Sequence, residues 1–471
     1  MLEKHILSLL LNRLGFEPTP GQLVLFKELA EYVVNFTDSR IFLVNGYAGT
    51  GKTSVVGSLV GVLKEMKQNV ILLAPTGRAA KVLAAYAQTP AFTIHKKIYR
   101  QRSLSEDMNL FTLDRNLHRD TLFVVDEASM VANMPSSSSM FGSGMLLDDL
   151  VSYVRSGVRC RLMLVGDKAQ LPPVGFSLSP ALDPSTLAVY GETIRVELTD
   201  VVRQAAESGV LTNATLIRHN IDSGINLLPD FKLNGFPDIV QIEGSDVQET
   251  LDEAYSCYGE DNVIVICRSN IRANNYNNGI RTSIFGRDEE LASGDRLMVV
   301  KNHYGVLGAG AEPIDFIANG DVAEVVRIRK YEERYGFRYA DVLLRLPDYN
   351  DIEIESKLML DTLSIETPSL AAERSKELFF SVNEDYSHIA VKRKRYKAVR
   401  EDAYFNALQV KYAYALTCHK AQGGQWKAVI LDQLFFKDDL QLEDLRWLYT
   451  AFTRASERLY LVNFEKKKKQ T

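Results

Sequence analysis

Residues 46–53 read Gly46-Tyr47-Ala48-Gly49-Thr50-Gly51-Lys52-Thr53, and the chain on either side decides what they are. Before them, Ile41-Phe42-Leu43-Val44 is a short apolar run of the kind that forms a buried parallel strand. After them, Val55, Val56, Leu59, Val60 and Leu63 recur at helical spacing. Strand, glycine-rich loop and helix in that order make a phosphate-binding loop. The glycines let successive backbone N–H groups turn inward around an anion. The helix N-terminus adds partial positive charge at the same place. Gly46, Ala48, Gly49, Thr50, Gly51 and Ser54 then line the phosphates, Lys52 reaches the β- and γ-phosphates, and Thr53 sets its hydroxyl on a magnesium ion. The expected ligands are ATP and Mg²⁺. A chance glycine-rich turn is the alternative, and the flanking periodicities argue against it.

Working outward, further strand-like runs at Val70–Ala74, Leu122–Val125 and Leu162–Val165 each end in a polar cluster. Open parallel sheets place their ligands at such strand ends. The second run ends in Asp126-Glu127. Asp126 is placed to hold Mg²⁺, and Glu127 to polarise an attacking water. The third leads into Gly166-Asp167-Lys168-Ala169-Gln170-Leu171-Pro172-Pro173, where the Gln170 amide can sense a γ-phosphate or a water. Between the first two runs, 98–113 reads as a short β-hairpin around the polar segment Ser103–Asp107. Ser136–Ser139 and Gly142–Gly144 read as a flexible exposed loop.

A second α/β pattern follows, with strand runs at Val263–Ile266, Val429–Leu431 and Leu459–Val462. Between its two pieces, residues 321–360 alternate with period two, which suggests a small β-barrel. Residues 369–407 look helical and carry the run Lys392-Arg393-Lys394-Arg395-Tyr396-Lys397, either a solvated helix face or a contact to a phosphate backbone. The tail Lys466–Lys469 reads as disordered. The chain has 471 residues and a net charge of −5, so no global basic field advertises nucleic acid, although a basic channel can sit inside an acidic chain. Its four cysteines form no CxxC pair, which fits a reducing compartment and gives no sign of a zinc site. With no signal peptide and no long apolar run, the reading is cytoplasmic, with no membrane partner.

The order of these motifs resembles that of superfamily 1B DNA helicases, the RecD, Dda and Pif-type group, over nearly the whole chain. Thr19-Pro20-Gly21-Gln22 is similar to the family's adenine-recognising motif, which implicates Gln22. Ala74-Pro75-Thr76-Gly77-Arg78-Ala79-Ala80 and Thr93-Ile94-His95-Lys96 resemble its early DNA-contact motifs. Leu198–Gln204 is similar to the motif IV region, Thr417-Cys418-His419-Lys420-Ala421-Gln422-Gly423 to motif V, and Tyr449-Thr450-Ala451-Phe452-Thr453-Arg454-Ala455 to motif VI. Asn319-Gly320 matches a signature that precedes the family's SH3-like insertion.

The resemblance implies an α/β fold: two RecA-like P-loop domains with parallel sheets, a small β-hairpin pin in the first and an SH3-like β-barrel in the second. The expected spans are 1–200 for the first domain, with an N-terminal helical region and the pin at 97–120. The second domain would take 201–320 and 408–465, the barrel with its basic helical segment 321–407, and a tail 466–471. Lys52, Arg203 and Arg454 would stabilise charge on the transferring phosphoryl group, the two arginines coming from or bordering the second unit, and Gly423 would join the nucleotide site. ATP would then join the two units and hydrolysis loosen them. Pro75, Thr76, His95, Lys96, Phe111, Asn319, Thr417, His419 and Lys420 are candidates for single-stranded DNA. The implied activity is 5′→3′ translocation and unwinding at duplex junctions, with a monomer sufficing. An ATP-driven switch, an RNA helicase and the motor subunit of a nuclease complex are the competing readings.

Overall fold

The computed structural model describes residues 2–35, 40–101, 111–134, 141–202, 207–307, 314–432 and 440–464. Arg203, Ser103–Asp107, Ser136–Ser139 and Lys466–Lys469 lie outside them. The chain divides into two compact units. The first comprises Met1–Val240 with Gln422–Gln425 and Phe436–Ser456, and the second comprises the remainder.

The first unit is built on a six-stranded parallel sheet. Its strand order is Ala91–Thr93, Asn69–Ala74, Thr121–Val125, Arg161–Gly166, Ile41–Gly46, Thr193–Leu198. Ile41–Gly46 is buried throughout, as its unbroken apolar run demands of a strand covered on both faces. Leu59 and Leu63 of the helix Lys52–Glu65 join one core with Phe42, Val44, Leu25, Phe26, Ile6 and Leu10. The helix Pro20–Val34 starts with proline in its first turn and a capping box between Thr19 and Gln22.

The expected hairpin is present. Tyr99–Gln101 and Phe111–Leu113 pair antiparallel, Gln101 opposite Phe111. Its base is packed rather than free. Phe141 lies 4.9 Å from Phe111, 5.0 Å from Tyr99 and 4.9 Å from His95. The Gly142 N–H donates to the Phe111 carbonyl at 3.0 Å, and the Tyr99 hydroxyl donates to Asp149 at 2.7 Å. The far end of the serine- and glycine-rich segment is thus stapled to the hairpin.

The second unit has a five-stranded sheet ordered Ala415–Thr417, Val263–Cys267, Trp426–Asp432, Ala455–Val462, Ile239–Ile242, with Val263–Cys267 parallel to both neighbours. The inserted barrel is closed and five-stranded: Arg296–Val299, Val322–Arg334, Phe337–Leu346, Ile352–Met359 and Leu408–Tyr412. It is wider than the span 321–407, because it recruits one short strand before that span and one after it. The turn of its long hairpin, Tyr335-Gly336, has positive φ at both residues (55° and 72°), the geometry that matches strand twist. The helices Ala372–Asp385 and Lys392–Glu401 sit on the barrel through Leu378, Val382 and Val399, which pack with Phe337, Tyr339 and Met359. Among the described residues no helix is long and apolar enough to cross a membrane.

Candidate nucleotide site

The glycines of the first loop are needed where they stand. Gly51 has φ 80°, and a Cβ there would fall 2.5 Å from Gln22 Nε2. A Cβ on Gly46 would fall 2.7 Å from Lys52 Cγ. Gln22 is fully buried: its Nε2 donates to the Thr50 carbonyl at 3.0 Å and its Oε1 accepts from the Thr19 N–H at 3.1 Å. Both ends of the amide are therefore engaged in shaping the loop from behind, where the sequence suggested recognition of an adenine. The Lys52 ammonium donates to the carbonyls of Gly46 (2.6 Å) and Tyr47 (2.9 Å) and lies 3.8 Å from Asp167.

Asp126 and Glu127 follow the buried strand Thr121–Val125 directly. The Glu127 N–H donates to Asp126 Oδ1 at 2.9 Å, and Glu127 itself has φ 52°, the left-handed region that side chains rarely adopt. Burial, reinforced by the charge of Glu127, pushes the Asp126 carboxyl up to about 6. Asp167, at the end of the next strand, is also raised by burial, with Lys52 opposing the shift. Gln170 is 5 % exposed, and its buried Oε1 has no hydrogen-bond partner among the described residues. An amide oxygen left so is costly unless a donor such as water meets it.

One member of the site carries no sequence signal of its own. Tyr449 on the helix Leu442–Phe452 is buried, and its hydroxyl accepts from the Ala48 N–H at 2.8 Å while donating to Asp167 at 2.8 Å. Nothing local betrays this, because the partners lie 401 and 282 positions away. The same helix leads to Arg454, which falls in the first unit. Arg454 is 4 % exposed, and its hydrogen bonds go to the carbonyls of Thr450 and Gly424 and the hydroxyl of Thr453. A buried guanidinium held by neutral acceptors keeps its charge available for an anion. Gly423, φ 72°, approaches the N-terminus of the helix Gly77–Ala87 so closely that a Cβ would meet Thr76 Oγ1 at 3.0 Å.

The expected DNA residues divide between the units. In the first, Pro75 is half-buried and Thr76 caps its helix by accepting from the Ala79 N–H. Lys96 is exposed, and the N–H of Lys96 caps onto Thr93. His95 is pushed down to about 4 by burial, chiefly among Tyr99 and Phe141, so it is a neutral packing residue. Phe111 is 4 % exposed, and its ring packs on Phe141. In the second unit, Thr417 ends the strand Ala415–Thr417, and His419 and Lys420 lie in the short helix Cys418–Ala421 that follows. The Lys420 ammonium has no hydrogen-bond partner among the described residues; burial, then Lys411, pushes it down to about 8. It lines a small pocket with Lys411, Asn270, Asn274 and Thr417. Asn319 is exposed, with its N–H on Asn302 Oδ1 at 2.7 Å.

A glycine loop at the end of a central parallel strand, an acidic pair on the next strand but one, and a buried arginine define a P-loop nucleoside triphosphatase. Residues 25–230 match the AAA domain model, and residues 412–462 the UvrD-like helicase C-terminal domain model. The chain is similar to RecD- and Dda-type helicases of superfamily 1. It is 29% identical to the ATP-dependent RecD2 DNA helicase of Deinococcus radiodurans over 46% of this chain and 29% of that one. It is 24% identical to the uncharacterized protein MJ1519 of Methanocaldococcus jannaschii over 92% of this chain and 37% of that one. The chain thus spans about a third of the length of these two relatives. A Pif1 helicase from Bacteroides, solved with ADP-AlF3 and single-stranded DNA, aligns over 96% of this chain and 94% of its own at 16% identity and a TM-score of 0.47.

Proposed function

We propose that this chain is an ATP-driven motor that moves 5′→3′ along single-stranded DNA and separates duplex strands. The observation that carries the reading is the convergence, in one unit, of the Lys52 loop, the Asp126-Glu127 pair, the unsatisfied Gln170 oxygen and the Arg454 guanidinium with neutral partners. Lys52 exchanges two loop carbonyls for phosphate oxygens, a stronger charge-assisted contact. Thr53 and Asp126 are the residues that would hold Mg²⁺, which would supply neutralisation of the phosphate charge. Glu127 accepts the proton of the attacking water, with the Gln170 oxygen orienting that water. Arg454 and Arg203 meet the developing charge. Pro75, Thr76, Lys96, Asn319, Thr417, His419 and Lys420 supply the track for the strand. The name of the Deinococcus relative supports DNA as the substrate.

The test is the ATPase rate alone, with single-stranded DNA, and with RNA of equal length, followed by unwinding of a duplex carrying a 5′ or a 3′ tail. Stimulation by DNA and unwinding of the 5′-tailed duplex are expected. A rate indifferent to nucleic acid would make the chain a switch, and preferential stimulation by RNA would reassign the substrate.

A further inference from the structure

The helix Lys392–Glu401 has no part in the motor chemistry, and its charge is poorly explained by folding. Six of its ten residues are cations, Lys392, Arg393, Lys394, Arg395, Lys397 and Arg400, against one carboxylate, Glu401. Three cations occupy the first turn, where the helix dipole is already positive, so their placement opposes helix stability. The helix is held instead by its other side, through buried Val399 and through Tyr396 packed 5.2 Å from Phe379. Lys392, Arg393, Lys394, Lys397 and Arg400 are all exposed. Among the described residues the one ion pair on the helix is Lys397 with Glu401 at 3.8 Å, and Lys392 lies over the Tyr396 ring. Neighbouring carboxylates are already engaged: Asp385 by Arg334 and the Tyr335 hydroxyl, and Asp402 by the Tyr386 hydroxyl and the N–H groups of Tyr404 and Phe405.

We propose that this helix is a second nucleic-acid surface, separate from the single-strand track, that grips the phosphate backbone of duplex DNA without reading sequence. The inference rests on the motor reading. A ten-residue helix is about 15 Å long, and duplex DNA presents a phosphate charge about every 1.7 Å of its axis, so five exposed cations meet several phosphates at once. The half-buried Tyr396 ring is spent on Phe379, and a single-strand site depends on aromatic platforms. This helix itself therefore offers charge without a free ring, which fits the backbone of a duplex, although Phe380 of the helix Ala372–Asp385 is exposed beside Phe379. Such a contact would hold the chain near a junction while the motor advances.

The experiment compares the wild-type chain with a triple variant, Lys392→Glu, Arg393→Glu and Lys394→Glu, in binding a labelled blunt duplex and a single strand of the same length across a salt series. Glutamate in a first turn favours the helix, so lost binding cannot be ascribed to its melting. The expected result is a duplex affinity at least about tenfold weaker, with the log–log salt slope reduced by about 2 to 3. Single-strand affinity and single-strand-stimulated ATPase should be unchanged. Unaltered duplex affinity and salt slope would overturn the proposal, as would an equal loss on single strands, which would put the helix on the track. Tighter wild-type binding to phosphatidylserine vesicles than to duplex would also overturn it. Failure of the motor reading shows separately, as a wild-type ATPase that single strands do not stimulate.

Discussion

At the scale of the residue, the chain Ala48 N–H to Tyr449 hydroxyl to Asp167 carboxylate links the phosphate loop to the loop of Gln170 through a single oxygen. Removing that oxygen leaves a buried carboxylate short of a donor and a loop N–H without its acceptor, a cost of roughly 1–3 kcal/mol. Tyr449→Phe should therefore lower ATP turnover about tenfold or more while nucleotide affinity changes little, because the ring still fills its place. Glu127→Gln makes the complementary comparison: it should retain ATP binding, lose water activation, and hold DNA in the ATP-bound state. Steady-state ATPase beside nucleotide titration of both variants decides these roles. Wild-type turnover in Tyr449→Phe would reduce that residue to core filling, and wild-type turnover in Glu127→Gln would remove Glu127 as the base.

At the scale of the element, the hairpin has a packed base, Tyr99–Gln101 against Phe111–Leu113. Phe111→Ala should cost about 3 kcal/mol or more, since a buried aromatic is lost from contact with Phe141. Replacing residues 102–109 with a short Gly-Ser link should instead spare both folding and DNA-stimulated ATPase, yet sharply reduce unwinding of a 5′-tailed duplex. Full unwinding by the linked variant would show that 102–109 is not needed as a strand-separating pin. The hairpin also shows where reading the sequence stops. Its alternation and polar turn are short-range signals, as are the glycine loop and the strand before Asp126. The burial of Phe111 depends on Phe141, thirty positions on and beyond an intervening loop, which no local pattern announces. In the same way the barrel strands Arg296–Val299 and Leu408–Tyr412 are too short to state which sheet they join. Tyr449 is legible only as one letter of its motif, since its partners are brought to it by the whole fold.

At the scale of the whole molecule, each unit carries a neutral histidine, half-buried His95 in the first and buried His303 in the second. Both are pushed down to about 4 by burial. Unfolded, each would titrate near 6.5. Between those values the unfolded chain binds more protons than the folded one, so stability is full above about pH 6.5 and is lost as pH falls toward 4. Each group contributes about 3 kcal/mol at most, because every tenfold loss of proton affinity on folding is worth about 1.4 kcal/mol. Thermal unfolding should therefore move to lower temperature from pH 7 to pH 5, and less so in His95→Asn. A midpoint independent of pH across that range would contradict the neutral state of both rings. The barrel has a mechanical consequence of another kind. Its first and last strands are paired, Leu297 opposite Tyr412, and only two residues later the chain enters the strand Ala415–Thr417 of the parent sheet. Tyr414, between them, clamps the seam by accepting from the Arg296 N–H and bonding Asp295. With so little slack, a torque on the barrel cannot dissipate in a linker. It turns the strand that ends at Thr417, and with it His419 and Lys420, as a key turns a bolt.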